Sequence, residues 1–377
     1  MVQNLKRILS ITFLNFFISG GLTLIIPILL LQRNIDLVEI GIILSILPLI
    51  FLGVRIAIAA LADLKGWSKL YLLINAPSSI ISTLLYTLGH TTPLFLIGKI
   101  VEAIKESSYW GIIRTAIFTL KPISKGKQST KNVAILSLAT ALGSATAGIG
   151  ITYLGFPTTL TTLILASLLI TIPASLLWKI PTQKLKCKPK DLLNPKNRHK
   201  NFWSVSLIIL FYSLARYPLL YLLLPAFMAE ELGFTYITIG ITYMLYNFVT
   251  SITTFAGLKT SLNLKRVILQ SIIALIASIL LINSQLFIIL LMGLALVEGL
   301  VTGFFEAIIA KSTTKSLSIS VDIGFLHIPM RSAEFVSILF AGYIAQNIGY
   351  QPIFILNGIS YTTFSILSYY FLNSAKT

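Results

Sequence analysis

Residues 38–62 read VEIGIILSILPLIFLGVRIAIAALA, and Glu39 and Arg55 are the only charges in the stretch. A helix crossing a hydrocarbon core needs about 20 mostly apolar residues, and this run is long enough. Its apolar residues cover every helical face, unlike the single stripe of a helix lying on a soluble core. A membrane barrel would be built from short alternating segments, whereas Ile42 to Leu52 is almost continuously apolar. Comparable runs lie at 8–31, 70–89, 93–118, 133–154, 157–178, 202–228, 237–257, 267–283, 286–310, 323–346 and 352–372, so twelve transmembrane helices are expected. The composition agrees: 56% of the 377 residues are apolar and 11% charged, where soluble domains average about 45–50% and about 25%. Nothing polar enough remains for a separate soluble catalytic domain.

Positive charge is retained on the cytoplasmic side of a membrane. With the N-terminus inside, the cytoplasmic segments carry 22 Lys and Arg against one, Arg33, in the outer connectors. Both termini are therefore expected in the cytoplasm of a multi-pass cell-membrane protein. The same bias accounts for most of the net charge of +17 without a nucleic-acid partner. The first apolar run is longer than the roughly 7–15 residues of a secretory signal core, so it reads as a membrane helix. One cysteine, Cys187, allows no intramolecular disulfide.

Residues 179–201, KIPTQKLKCKPKDLLNPKNRHKN, form the one long polar stretch and read as a basic cytoplasmic linker. It separates an N-terminal six-helix bundle, 1–178, from a C-terminal one, 202–377. Four collinear matches support a repeat. Pro27 and Pro225 are 198 apart, Ile40-Gly41 and Ile239-Gly240 are 199 apart, and Val101-Glu102 and Val297-Glu298 are 196 apart. Ala147-Gly148 with Gly155-Phe156 matches Ala341-Gly342 with Gly349-Tyr350 at 194. Six helices per copy make the two copies parallel, which places a solute site between them near mid-membrane.

These features resemble the major facilitator superfamily of twelve-helix secondary transporters over essentially the whole chain. That family has a run like R-P-x-x-G-x-L-A-D-R-x-G-R-K after its second helix. Here Arg55–Lys69 reads RIAIAALADLKGWSK and matches at Arg55, Leu61, Ala62, Asp63 and Gly66, with Ala59 at the first glycine position. In the fourth segment Lys99 and Glu102 stand where the family has Arg and Gln, and in the fifth Gly143, Ala147, Gly148 and Gly150 approach its glycine-rich pattern. The resemblance implies alternating access, with Asp63, Arg55 and Gly66 in gating. Independently, Asp63 at a helix end is placed to meet the positive N-terminus of another helix, and Gly66 suits a tight turn. Gly143 and Ala147, four apart, permit close helix approach.

An ionisable group inside a membrane helix costs about 2.5–3.5 kcal/mol on insertion scales, so each asks for a partner or a function. Apart from Glu39 at the very start of its span, eleven lie in the expected spans: Arg55, Lys99, Lys105, Arg114, Arg216, Arg331, Glu102, Glu106, Glu298, Glu306 and Glu334. Their near balance suits structural ion pairs, and Arg55 and Arg114, toward cytoplasmic ends, suit snorkelling. Lys99, Glu102 and Glu106 share one face of the fourth helix, and His327, Arg331 and Glu334 share a face of the eleventh. Glu298 is the repeat equivalent of Glu102, so two carboxylates are expected to approach one central cavity, with Glu306 two turns beyond.

Burial favours a protonated carboxyl and a nearby cation an ionised one, the competition a proton-coupled carrier needs. Proton-coupling candidates are Glu298, the foremost, then Glu102, Glu306, Glu106 and Glu334. Candidates for contact with an anionic or zwitterionic small solute are Lys99, Arg216, Arg331, Tyr109 and His327. Efflux of apolar or cationic compounds past Tyr109, Trp110, Phe304 and Phe305 is an alternative, as is a transport-inactive scaffold or sensor. No hydrolase, zincin or paired-Asp metal motif is present in the sequence, so an enzyme, a metal and a cofactor are not expected. A monomer in the lipid bilayer is the default.

Overall fold

The computed structural model describes residues 2–120, 125–177, 200–258, 263–313 and 319–373. Every regular element among the described residues is a helix. In order they are α1 (Val2–Gln32), α2 (Leu37–Lys65), α3 (Trp67–Leu88), α4 (Thr92–Leu120), α5 (Lys125–Leu169), α6 (Thr171–Leu177), α7 (Lys200–Pro218), a π turn (Leu219–Leu223), α8 (Leu224–Glu230), α9 (Tyr236–Gly257), α10 (Leu264–Leu280), α11 (Phe287–Ser312), α12 (Ile319–Leu326), α13 (Ile328–Asn347) and α14 (Gln351–Asn373). Cys187 and the basic stretch, apart from its last two residues, lie outside the described residues, as does the Arg114 side chain.

Local chemistry sets the boundaries. Asp36, Thr235 and Asn263 cap α2, α9 and α10 by accepting from the backbone N–H three residues on, satisfying donors that a helix start leaves open. Gly66 joins α2 to α3 at φ 88°, a conformation that a Cβ disfavours. The apolar runs at 133–154 and 157–178 are joined through α5, which bends at Gly155, where φ is 77°, just ahead of Pro157. The π turn precedes Pro225, which has no N–H to continue the helical ladder. Tyr243 donates its hydroxyl to the Leu220 carbonyl at 2.5 Å, so this irregular turn is tied to α9.

Among the described residues six helical stretches are long and apolar enough to cross a membrane, beginning with Asn4–Gln32 and Leu37–Lys65. Ser320–Leu326 and Ile328–Asn347, bent by 42°, make a seventh if taken as one span. Polarity is distributed the opposite way to a soluble protein. Ile289 is 71% and Leu269 60% exposed on the outside, while Arg55, Lys99, Lys105, Glu102, Glu298, Glu306, Arg331 and Glu334 are all buried. Lipid tails accept the first group, and the interior must satisfy the second.

Two antiparallel helix pairs connect the elements before and after the basic stretch. Gly41 on α2 and Gly342 on α13 approach so closely that a Cβ built on Gly342 would lie 2.1 Å from the Leu37 carbonyl oxygen. Gly148 on α5 and Gly240 on α9 are as tight, each facing the other's backbone with a built Cβ 2.9 Å from the partner's Cα. Gly41 and Gly240 are repeat equivalents, and so are Gly148 and Gly342. One contact is therefore made twice, with the copies exchanged.

Candidate functional site

Along α2 the order is Gly41, then Leu44, Leu47 and Pro48, then Arg55, then Asp63. Along α12 and α13 it is the reverse: Val321, then His327, Arg331 and Glu334, then Ile338 and Gly342. At one end the glycines pack together and the Val38 N–H donates to Gln346 Oε1 at 3.1 Å. At the other end Asp63 Oδ2 accepts the Val321 N–H at 3.3 Å, in the first turn of α12, while Thr115 and Ser320 share a hydrogen bond at 2.7 Å. Ser251 on α9 likewise donates to the Ala134 carbonyl on α5 at 2.8 Å. Between the two closed ends is a cavity lined from α1, α2, α4, α5, α7, the π turn, α9 and α13.

Six ionisable side chains face it: Lys99, Glu102 and Glu106 from α4, Arg216 from α7, and Arg331 and Glu334 from α13. Each has a partner of opposite charge. Lys99 Nζ is 2.7 Å from Glu102 Oε2, whose oxygen also accepts from Tyr86 at 2.6 Å. Glu106 takes Lys105 at 3.4 Å, Ser19 at 3.0 Å and the Trp110 indole at 3.2 Å. Arg216 Nε is 2.9 Å from Glu298 Oε1, and Arg331 pairs with Glu334 one turn away. Opposite charges in low dielectric hold one another strongly, and removing one partner leaves the other exposed to the full desolvation penalty. The wall thus presents three cations and three carboxylates on a surface that is otherwise mainly apolar and aromatic, with Ser19, Thr23, Thr140 and Asn247 among it.

A smaller cavity adjoins it toward Asp63, sharing Trp110, Leu136, Arg216, Tyr217 and Arg331 with the first. Arg55, Glu306 and His327 line this second space. His327 caps the bend into α13, and its Nδ1 lies 2.7 Å from the Ile323 carbonyl. Ser129 donates to Glu306.

The sequence model of the Major Facilitator Superfamily matches residues 8–262, more than half of the chain. The chain belongs to the Major Facilitator Superfamily. No curated protein sequence matches it. Among solved structures, the human organic anion transporter MFSD10 (TETRAN) is similar in fold, with a TM-score of 0.70 at 14% identity, over 98% of this chain and 99% of that one. Membership in this superfamily points to a multi-pass membrane protein of the transporter class.

Within the superfamily frame, α4 and α13 bring together most of what the residue spacing proposed, but the expectations for five residues need correction. Glu298 does not line the central cavity: it is sealed behind Arg216 and accepts from Tyr246 and Tyr361, the latter at 3.1 Å. Glu306 lines only the smaller space. Tyr109 is buried away from both, bonded to Thr12 at 2.9 Å and to Asn132 at 3.0 Å, while Phe304 stacks under Arg266 at 5.2 Å on the periphery. Arg55 does not snorkel: it is 1% exposed, sits over Phe51 and donates to the Trp110 carbonyl at 3.4 Å. In each case the helix was read rightly and its rotation was not. Ser19, Phe51, Tyr86, Tyr217, Tyr246 and Tyr361 escaped sequence reasoning, because a hydroxyl or ring in an apolar run carries no sign of the charge it will meet on another helix.

Proposed function

We propose that the chain is a secondary active transporter of the cell membrane that moves a small anionic or zwitterionic solute, coupled to protons, by alternating access. In this reading twelve spans form two six-helix halves, 1–178 and 202–377, with both termini in the cytoplasm, and the Gly41 end of the cavity faces outward. The observation that carries the reading is the central cavity itself: three cations and three carboxylates, contributed by elements from both sides of the basic stretch, enclosed between two polar or glycine-packed ends. Charges that only held helices together would have no reason to converge on free space.

The glycine pairs act as the outer closure, and the Asp63–Val321 contact with the Thr115–Ser320 bond acts as the inner one. A solute anion at Lys99, Arg216 or Arg331 offsets the positive charge that keeps their carboxylate partners ionised, and a carboxylate so offset becomes a proton acceptor. Glu334 and Glu102 are placed for that exchange because each faces the cavity and is paired with one of these cations. Glu298 instead anchors Arg216.

The test is solute-evoked proton movement in proteoliposomes loaded with a pH dye, across amino acids, organic anions, sugars and cationic drugs. Acidification with inward flux of an anionic or zwitterionic solute is expected. Flux without any pH change overturns proton coupling, flux confined to cations supports the efflux alternative, and no flux of any solute supports a scaffold or sensor.

A further inference from the structure

Arg331 differs from the other cations on the cavity wall. Lys99 is a point charge already held by Glu102 at 2.7 Å. Arg216 uses Nε on Glu298 at 2.9 Å and Nη1 on the Tyr212 hydroxyl at 3.2 Å. Arg331 gives Nη1 to Glu334, yet its Nε is buried and has no hydrogen-bond partner among the described residues. Buried donors are nearly always paired, and an unpaired one is costly. The guanidinium is also restrained in orientation, with its central carbon 4.0 Å from the Phe51 ring centroid and 5.1 Å from that of Tyr217.

Guanidinium geometry sets what fits. The Nε hydrogen and one Nη2 hydrogen point the same way, at the spacing of two carboxylate oxygens. Glu334 occupies the nitrogen on the other side, so no hydrogen bond from the described residues takes the side-on edge. We propose that the solute is a carboxylate held two-point on the Nε and Nη2 edge of Arg331, with its remaining body against Leu44, Leu47, Pro48 and Leu220, which line the same cavity. A carboxylate is favoured over a doubly charged phosphoryl group because Glu334, Glu106 and Glu102 face the same space, and like charges in low dielectric repel. Phe51 and Tyr217 are positioning residues that keep the fork in plane. This inference rests on the transporter reading for the meaning of the site, but the binding chemistry stands by itself.

The experiment is calorimetric titration of the full chain in lipid nanodiscs with acetate, lactate, benzoate and succinate. Each is set against its neutral amide, with benzylamine and phenylphosphonate as charge controls. At least one carboxylate is expected to bind while its amide and the amine do not. Arg331→Lys keeps the charge that holds Glu334 but loses the fork, and is expected to weaken that carboxylate about 10-fold or more. An unchanged affinity in Arg331→Lys overturns the assignment. If that variant does not fold, the wild-type series decides: no carboxylate binding better than its amide, or phenylphosphonate binding more tightly than every carboxylate, overturns it. Failure of the two readings is distinguishable. Carboxylate binding without flux of any solute in proteoliposomes contradicts transport and leaves the site, whereas flux of other solutes without carboxylate binding does the reverse.

Discussion

Glu298 and Glu334 are both buried carboxylates paired with an arginine, and their surroundings separate their roles. Glu298 is held by Arg216, Tyr246 and Tyr361 at once and is away from the cavity. Glu334 accepts from Arg331 and faces the cavity. Replacing Glu298 by Gln should therefore destabilise the fold by about 3 kcal/mol, the order expected on breaking a buried pair, and weaken solute binding through the loosened Arg216. Thermal unfolding with and without solute checks this. Glu334→Gln should bind solute but move it without proton uptake, read as flux with no response of a trapped pH dye; retained dye response removes Glu334 from coupling. The spacing of Lys99, Glu102 and Glu106 made the charged face of α4 readable from sequence alone, and that of Arg331 and Glu334 did the same for α13. The misplacement of Glu298 has a simple cause. Repeat equivalence gives the position of a residue along a helix, while the presence of Arg216 on a neighbouring helix decides which side of the wall it lies on.

At the scale of elements, the glycine pairs are the feature most exposed to test. A methyl group at Gly342 would lie 2.1 Å from the Leu37 carbonyl oxygen, a distance no packing tolerates, so Gly342→Ala should force α2 and α13 apart. Leu44 then becomes accessible: a cysteine placed there in a chain whose Cys187 is replaced by serine should react faster with a membrane-impermeant maleimide in the Gly342→Ala background. Equal rates would remove the glycine contact from the closure. At the opposite end Asp63→Asn exchanges a charge at a helix N-terminus for an amide, a change worth about 0.3–1 kcal/mol. It should make a cysteine placed at Val133, which lines the smaller cavity toward Asp63, more reactive in the same assay. The glycines were visible in sequence as repeat matches, and Asp63 and Gly66 as a motif. Which glycine meets which was not, because contact between α2 and α13 links residues about 300 positions apart.

For the whole molecule, hydropathy carried most of the fold: an apolar run long enough to span can satisfy its backbone in lipid as helix, and among the described residues each apolar run lies mainly within helix. The bends at Gly155 and His327 and the π turn before Pro225 were not readable as such, since Gly and Pro mark many positions in membrane helices that stay straight. The enclosure of the cavity at both ends was also hidden, being a property of how α2, α5, α9 and α13 lean together. The central claim is that these two closures open in alternation. It is tested most directly by double electron–electron resonance on two spin-label pairs in nanodiscs, one at Val38 and Gln346 and one at Leu64 and Asp322, with solute and pH varied. The account predicts that conditions lengthening one distance shorten the other. Distances that stay fixed under every condition, or that lengthen together, would contradict it.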